Sequence, residues 1–302
     1  MEHAALTCEP RRMAISPNEP DAQATRGLVV LVTGCSSGFG LESALTFARA
    51  GYRVYATVRH PAKLRQVETA AAAEGLTLGI RELDVTNDRS VQQGVKGILE
   101  AEGRIDVLVN NAGVARVGPV ELLPDALVRD TFETNFFGPL RTIRAVLPGM
   151  RAQRSGVIIN ISSVAGRLWG KPITWAYDAS KHALGALSDG LALELQNFGI
   201  RVRVIEPGVF ATNMLQNSVR VHEPGSPYAE IEAAVGTYFD QSVANAPGAK
   251  PVADAVLEAA QAADQWPVHT LVGDDAKALV TSYESSSEQA WITRTRKSLK
   301  LA

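Results

Sequence analysis

Tyr177 and Lys181 stand four residues apart in the stretch Tyr177-Asp178-Ala179-Ser180-Lys181. On a helix that spacing sends both side chains out from one face, so a phenol and an ammonium can reach the same ligand. A free tyrosine has a pKa of about 10, too high for a base at neutral pH. One positive charge about 5 Å away, at an effective dielectric of about 20, is worth roughly 3 kcal/mol, or around two pKa units. That brings the phenol toward the range useful for proton transfer. The spacing alone is weak evidence, because a cation beside a hydroxyl is harmless on any surface. Ser163 strengthens it: it follows the apolar run Gly156 to Ser162, and a hydroxyl at a strand's carboxyl end can polarise a substrate oxygen. Ser162 competes for that role, and either serine could instead bond its own backbone. Asn135, in Thr134-Asn135-Phe136-Phe137-Gly138, places an amide in an apolar helical stretch, where burial would require partners. A helix kink is the structural alternative.

A second group of residues suits phosphate. Thr33-Gly34-Cys35-Ser36-Ser37-Gly38-Phe39-Gly40 follows an apolar strand and opens a helix. Glycines allow a sharp turn and a close backbone approach, and the helix start offers free N–H groups and a favourable dipole. Between the first strand and the first helix of a β/α series, Gly34, Ser36, Ser37, Gly38, Phe39 and Gly40 are expected to hold a dinucleotide pyrophosphate. The second strand ends Tyr55-Ala56-Thr57-Val58-Arg59-His60, without the carboxylate that would take a ribose 2′-OH. Arg59, with Ser36 or Ser37, suits a 2′-phosphate, which favours NADP(H). NAD(H) is the alternative, in which Arg59 is an ordinary exposed loop arginine.

These residues need a sheet to position them. Strands are expected at Leu28 to Thr33, Arg53 to Val58, Thr77 to Leu83, Ile105 to Asn110, Gly156 to Ser162, Ile200 to Glu206 and His269 to Val272, with helices such as Phe39 to Ala50, Ser90 to Glu102, Pro124 to Arg151 and Trp175 to Phe198 between them. This alternation predicts an α/β fold: a doubly wound, Rossmann-type sheet of about seven parallel strands with helices on both faces. A single domain is expected over residues 27–284. Residues 1–26 read as a flexible polar leader and 285–302 as a solvated basic tail. Regularity weakens after Pro207-Gly208, and 209–250 is expected to be a substrate-binding insertion at the carboxyl edge of the sheet. The 302 residues carry a net charge of -2 and are 46% hydrophobic, offering no broad basic field for nucleic acid. No segment reads as membrane-spanning, and Arg11-Arg12 lacks the apolar run of an export signal. Two cysteines, Cys8 and Cys35, are too few for a disulfide framework and suit a cytoplasmic location. No histidine has a partner at metal-ligand spacing, so no metal is expected, and His182 points about 100° away from Lys181, toward a structural or surface role.

The glycine spacing resembles the compact, single-domain branch of the short-chain dehydrogenase/reductase family. Asn110-Asn111-Ala112-Gly113, Ser162-Ser163, Tyr177 to Lys181 and Pro207-Gly208 match that family in order, so the resemblance covers roughly Leu28 to Val272. It implies Asn135, Ser163, Tyr177 and Lys181 as catalytic residues, with Ser163 preferred to Ser162 and Asn135 holding a water and the lysine in a proton relay. It also implies cofactor contacts from Asp84 at the adenine edge, Val85, Asn111, Ala112, Gly113, Pro207, Gly208, Thr212, Tyr177 and Lys181. A turn or cap role for Asp84 stays open, and Asn111 is expected to tie strands together while lining the cleft.

The expected reaction is reversible hydride transfer between nicotinamide and a secondary alcohol or ketone. Ser163, Trp169 and Tyr177 are expected to meet the substrate, and Leu168, Trp169 and Trp175 to give an apolar pocket. Val54 to Arg59 and Ile205 to Gly208 are worded like family members acting on steroids or retinoids. The rival readings are a catalytically silent NADP(H)-binding regulator and an extended-branch epimerase or dehydratase. The family's habit of pairing its long helices implies a homodimer or homotetramer.

Overall fold

Val29-Val30-Leu31-Val32 is buried along its whole length, as a strand covered on both faces must be. Val30 and Val32 enter one apolar cluster, with Phe47 and Val256. Val29 and Leu31 enter another, with Ile98 and Ile143. The central strands β2, β4, β6 and β7 divide their residues the same way, and two helical layers follow.

The structure, a computed structural model, describes residues 27–214, 216–263 and 266–301. The expected leader, with Cys8 and Arg11-Arg12, lies outside them. The elements run β1 (Val29–Val32), α1 (Gly38–Arg49), β2 (Arg53–Val58), α2 (Leu64–Ala73), β3 (Gly79–Glu82), α3 (Asp88–Glu102), β4 (Val107–Asn110), β5 (Arg116–Val117), α4 (Asp125–Phe132), α5 (Gly138–Gln153), β6 (Gly156–Ile161), α6 (Trp175–Leu195), β7 (Ile200–Pro207), β8 (Val219–Arg220), α7 (Ala229–Ala244), α8 (Lys250–Gln261), β9 (His269–Val272), α9 (Asp274–Glu284) and α10 (Glu288–Ser298). Seven strands form one parallel sheet in the order β3-β2-β1-β4-β6-β7-β9. The chain order reverses between β1 and β4, and doubly wound sheets bind ligands outside such a switch point.

A buried polar chain fixes β4 against β6. Thr142 on α5 donates to Asn110 Oδ1 (2.6 Å), Asn110 Nδ2 to Asn160 Oδ1 (2.9 Å), and Asn160 Nδ2 to Ser188 Oγ on α6 (2.8 Å). Each group is satisfied inside the core, and together they tie two strands to the helices that cover them.

Three segments differ from the sequence expectation. The helix expected from Pro124 to Arg151 is broken by a π-helical turn, Glu133–Phe137. The insertion is not irregular throughout: β8 pairs with β5 in a small second sheet, and α7 spans 16 residues. The basic tail is not a tail. Its charged side chains are exposed, but α10 buries Trp291 to 5% exposure against Val164, Leu168 and Val280. The Trp291 indole donates to the Trp169 carbonyl at 3.3 Å and packs edge-on against Tyr283. One tryptophan therefore anchors a segment whose composition reads as solvated. Trp291→Ala is expected to cost about 3 kcal/mol in urea denaturation; an unchanged midpoint would restore the solvated-tail reading.

Candidate active site

The first glycine turn links β1 to α1. Gly34 and Gly38 have φ of +73° and +59°, conformations that side-chain-bearing residues rarely adopt. A Cβ on Gly34 would stand 2.8 Å from the Ala112 Cα. Gly40 needs no unusual φ, yet a Cβ there would meet Asn111 Nδ2 at 2.3 Å and the Gly34 carbonyl at 2.5 Å. Two of the three glycines are thus required by close packing within the protein. Ser37 precedes α1 without capping it, so the first N–H groups of the helix receive no side-chain acceptor from the N-cap. A cramped, positive-φ turn ending on an uncapped helix start fits a dinucleotide pyrophosphate.

Thr33 and Asn111 hold this turn to β4. Asn111 Nδ2 donates to the carbonyls of Thr33 (2.9 Å) and Gly34 (3.1 Å), while Thr33 Oγ1 accepts from the N–H groups of Asn111 and Ala112. Thr33 is a residue that sequence reasoning missed; its place between the strand and the first glycine was the available signal. Asp84 Oδ1 accepts from the N–H and hydroxyl of Thr86, the turn role left open for it, with its other carboxylate oxygen uncommitted to that turn. Val85 turns its side chain into the core, where a Cβ on Gly138 would come within 2.9 Å of it. Arg59 is exposed beyond β2, and among the described residues its side chain bonds only its neighbour His60 (Nε to Nε2, 3.1 Å).

Ser163, Tyr177 and Lys181 meet in a cavity of about 510 Å³ at the carboxyl end of β6, walled largely by apolar side chains. Phe39, Asn111, Pro207, Gly208 and Thr212 reach the same cavity. Gly34, Ser36, Ser37, Gly38, Gly40, Arg59, Asp84 and Val85 do not; they lie along the ends of β1, β2 and β3, on the path a dinucleotide would take. Pro207-Gly208 is pinned by Asp275, whose Oδ2 accepts from the Val209 N–H at 2.7 Å. Trp169 lines the cavity and is 44% exposed. Trp175 does not line it: the indole donates to the Gly118 carbonyl at 3.1 Å and starts α6. The insertion supplies much of the remaining wall, including Met214, Val221 and Phe239.

The two serines separate. Ser162 is buried and its hydroxyl points to the Lys181 carbonyl (3.4 Å). Ser163 Oγ accepts from the Ala165 N–H (3.1 Å) and lies against the Tyr177 phenol. Lys181 is 3% exposed, its Nζ donates to the Ile161 carbonyl at 2.7 Å, and it stands 5.7 Å from the Tyr177 ring centroid. Burial pulls its pKa from 10.5 down to about 8. Burial likewise pushes Tyr177 from 10.0 up to about 12, opposed by the Ser163 hydroxyl and reinforced by the charge of Asp178. In the protein's own groups burial outweighs the Ser163 hydrogen bond, so the phenol stands above its ordinary value and not near neutrality. Asp178, beside Tyr177, is itself raised to about 7 by burial, against the Thr174 hydroxyl that donates to it at 2.8 Å.

Asn135 occupies the π-helical turn and is fully buried. Its Nδ2 donates to the Val114 carbonyl (2.9 Å) and Ser180 Oγ (3.0 Å), and its Oδ1 accepts from the Val114 N–H (2.9 Å). Ser180 in turn donates to the Tyr177 carbonyl (2.6 Å). Asn135 is thus both the kink and the link: its amide ties the loop after β4 to the helix bearing Tyr177 and Lys181. Ser180 was not assigned a role from the sequence, although its place three residues after Tyr177 put it on that helix face. His182 lies on the surface, Nδ1 2.9 Å from the Asp178 carbonyl. Cys35 is a buried free thiol, pushed up to about 12 by burial.

A family model described as short chain dehydrogenase matches residues 28–222. The chain belongs to that family. Human retinol dehydrogenase 8 is 46% identical over 187 residues, 61% of this chain and 59% of its own length. The match therefore spans about three fifths of the retinol dehydrogenases it resembles. An uncharacterized oxidoreductase of Bacillus subtilis, YusZ, is 38% identical across 77% of this chain and 84% of its own. A 3-ketodihydrosphingosine reductase of Bacteroides thetaiotaomicron is 42% identical over 63% and 66%. Among solved structures, a short-chain dehydrogenase from Streptomyces avermitilis superposes with a TM-score of 0.76 at 37% identity, covering 89% of this chain and 96% of that one. A metagenomic family member in complex with NADP gives 0.65 at 32%, covering 82% and 98%. A Burkholderia phymatum member in complex with NAD gives 0.74 at 25%, covering 92% and 96%. This family fold takes nicotinamide cofactors, and its solved members hold either form.

The buried lysine makes a testable demand. In ε-¹³C NMR, Lys181 is expected to titrate near pH 8. Between that value and the ordinary 10.5 the folded chain binds fewer protons than the unfolded one, so this group makes stability rise with pH across that window. Lys181→Met should lose that slope, and a Lys181 midpoint at the ordinary value would contradict the burial argument.

Proposed function

We propose that this chain is an NADP(H)-dependent oxidoreductase that moves a hydride between the nicotinamide and a secondary alcohol or ketone with a bulky apolar body. The observation that carries the reading is the Ser163 hydroxyl set against the Tyr177 phenol in an apolar cavity, with the Lys181 ammonium behind them. Ser163 orients and polarises the substrate oxygen by donating a hydrogen bond to it. Tyr177 gives its phenolic proton to that oxygen in reduction and takes it back in oxidation. Lys181 holds positive charge beside the phenol and is placed to hold the cofactor ribose. Asn135 and Ser180 keep the Tyr177 helix in register with the loop after β4.

A phenol with pKa near 12 is protonated at neutral pH and can give its proton to a nascent alkoxide in reduction. Arg59, exposed beyond β2 and facing no carboxylate on its own strand end, supports NADP(H) over NAD(H). Asp84 would accept from the adenine amine through its oxygen outside the Thr86 turn. Substrates of steroid, retinoid or long-chain type fit the apolar wall, and two relatives carry names of that kind. Exposed Phe137 (42%), just before α5, and Leu193 (77%), on α6, support pairing of subunits through the α5 and α6 faces. No helix among the described residues is long and apolar enough to cross a membrane. A cytoplasmic location accords with the free Cys35 thiol.

Oxidation of NADPH and NADH against ketones of graded size tests the reading. Tyr177→Phe should lower kcat/KM by about 10²- to 10⁴-fold; near-normal turnover would overturn the mechanism. Arg59→Leu should erode the NADPH preference about tenfold, and an initial preference for NADH would reverse the role given to Arg59.

A further inference from the structure

Two further cations, Lys171 and Arg220, line the cavity, and neither is paired with an acid among the described residues. Lys171, from the loop between β6 and α6, is half-buried; its Nζ stands 4.2 Å from the Tyr238 ring centroid and donates to Ser298 Oγ at 3.0 Å. Arg220, at the end of β8, forms no hydrogen bond or ion pair with the described residues, and its Nη1 lies 3.7 Å from where a Cβ on Gly236 would stand. Gly236 and Tyr238 are two residues apart on α7. Lys171 and Arg220 thus each meet α7, at Tyr238 and beside Gly236, on a cavity wall that is otherwise mostly apolar.

The acids nearby each have a hydrogen-bond partner on one oxygen or both, and Asp178 Oδ1 and Glu232 Oε1 are buried without one among the described residues. Glu232 is bonded to His222, Asp178 accepts from Thr174, and Asp275 accepts from the Val209 N–H. A ring face and a hydroxyl hold Lys171 without neutralising it. Its ammonium has already lost part of its hydration, since burial lowers its pKa, so a ligand anion would add attraction at little further desolvation cost. Arg220 is exposed at the cavity wall, and its planar fork suits a carboxylate. Apolar walls strengthen any such charge pairing relative to open water.

We propose that the outer end of this cavity, at Lys171 and Arg220, binds a carboxylate carried by the substrate at the far end of an apolar chain or ring system whose carbonyl sits at Ser163 and Tyr177. The proposal rests on the oxidoreductase reading for the carbonyl end. The substrate class it defines is the apolar oxo- or hydroxy-acid.

The test compares a mid-chain oxo fatty acid with its methyl ester, by quenching of tryptophan fluorescence and by NADPH oxidation. The acid is expected to bind about tenfold or more tightly than the ester, as a charge-assisted contact implies, and the preference should shrink with added salt. Arg220→Gln and Lys171→Gln should each bring the acid-to-ester ratio in Kd and KM toward one, while Lys96→Gln on distant α3 leaves the ratio unchanged. Equal binding of acid and ester by the parent protein would overturn the proposal, as would an acid preference that survives both substitutions. Preferential, Arg220-dependent binding of the acid without turnover of either compound would keep the anion site and remove the oxidoreductase reading. Turnover of both compounds with no acid preference would do the reverse.

Discussion

The Lys181 ammonium lies between α6 and the carboxyl end of β6, almost wholly out of water, and its Nζ bonds the Ile161 carbonyl. A cation placed there must be held by a well-packed frame, because its hydration has been replaced by one backbone oxygen and the face of the Tyr177 ring. The surroundings comply. A Cβ on Gly166 would stand 2.8 Å from Ser162 Oγ and 3.0 Å from the Lys181 carbonyl, so the loop leaving β6 passes hard against the helix. Ser163, the next residue on that loop, faces the cavity because Ser162 is turned inward to the helix. The position of the lysine thus decides which serine can meet a substrate.

Two polar chains hold α6 in place for this purpose. One runs through the core from Thr142 by way of Asn110 and Asn160 to Ser188, and the other from Val114 through Asn135 to Ser180. Both end on the helix that carries Tyr177 and Lys181. Directional bonds between satisfied buried groups set register more narrowly than apolar contact can. The π-helical turn at Glu133–Phe137 belongs to the second chain, since it sets the Asn135 amide inward where Val114 and Ser180 meet it. The same rigidity has an electrostatic consequence: the phenol and the ammonium are both held in their less hydrated, uncharged-favouring directions.

Much of this was legible in the residues. Strand runs such as Arg53 to Val58 and His269 to Val272 appear at the expected bounds because long β-branched stretches between turn residues have few alternatives. Tyr177, Lys181 and Ser163 converge as their spacing implied. What could not be read was tertiary. Periodicity does not reveal the break at Glu133–Phe137, since a π turn inserts a residue without changing composition. Trp291 was hidden among the basic residues of α10, and its burial depends on Val164 and Leu168, far away in the chain. Trp175 looked like a cavity wall but is a helix anchor, because its direction is fixed by the Gly118 carbonyl. The raised Tyr177 pKa was not legible either: charge proximity can be read from spacing, but desolvation depends on how much protein surrounds the phenol.

The central claim is that Tyr177 is the proton-transfer group and that burial, opposed by the Ser163 hydroxyl, sets its readiness. Ultraviolet difference titration of tyrosinate, for the parent protein and Tyr177→Phe, tests it without requiring a substrate. The parent should show one tyrosine ionising near pH 12 that is absent from the variant, and saturating NADP⁺ should move that one midpoint downward, because it adds positive charge beside the phenol. Superimposable titrations of parent and variant, or a Tyr177 midpoint indifferent to NADP⁺, would contradict the account.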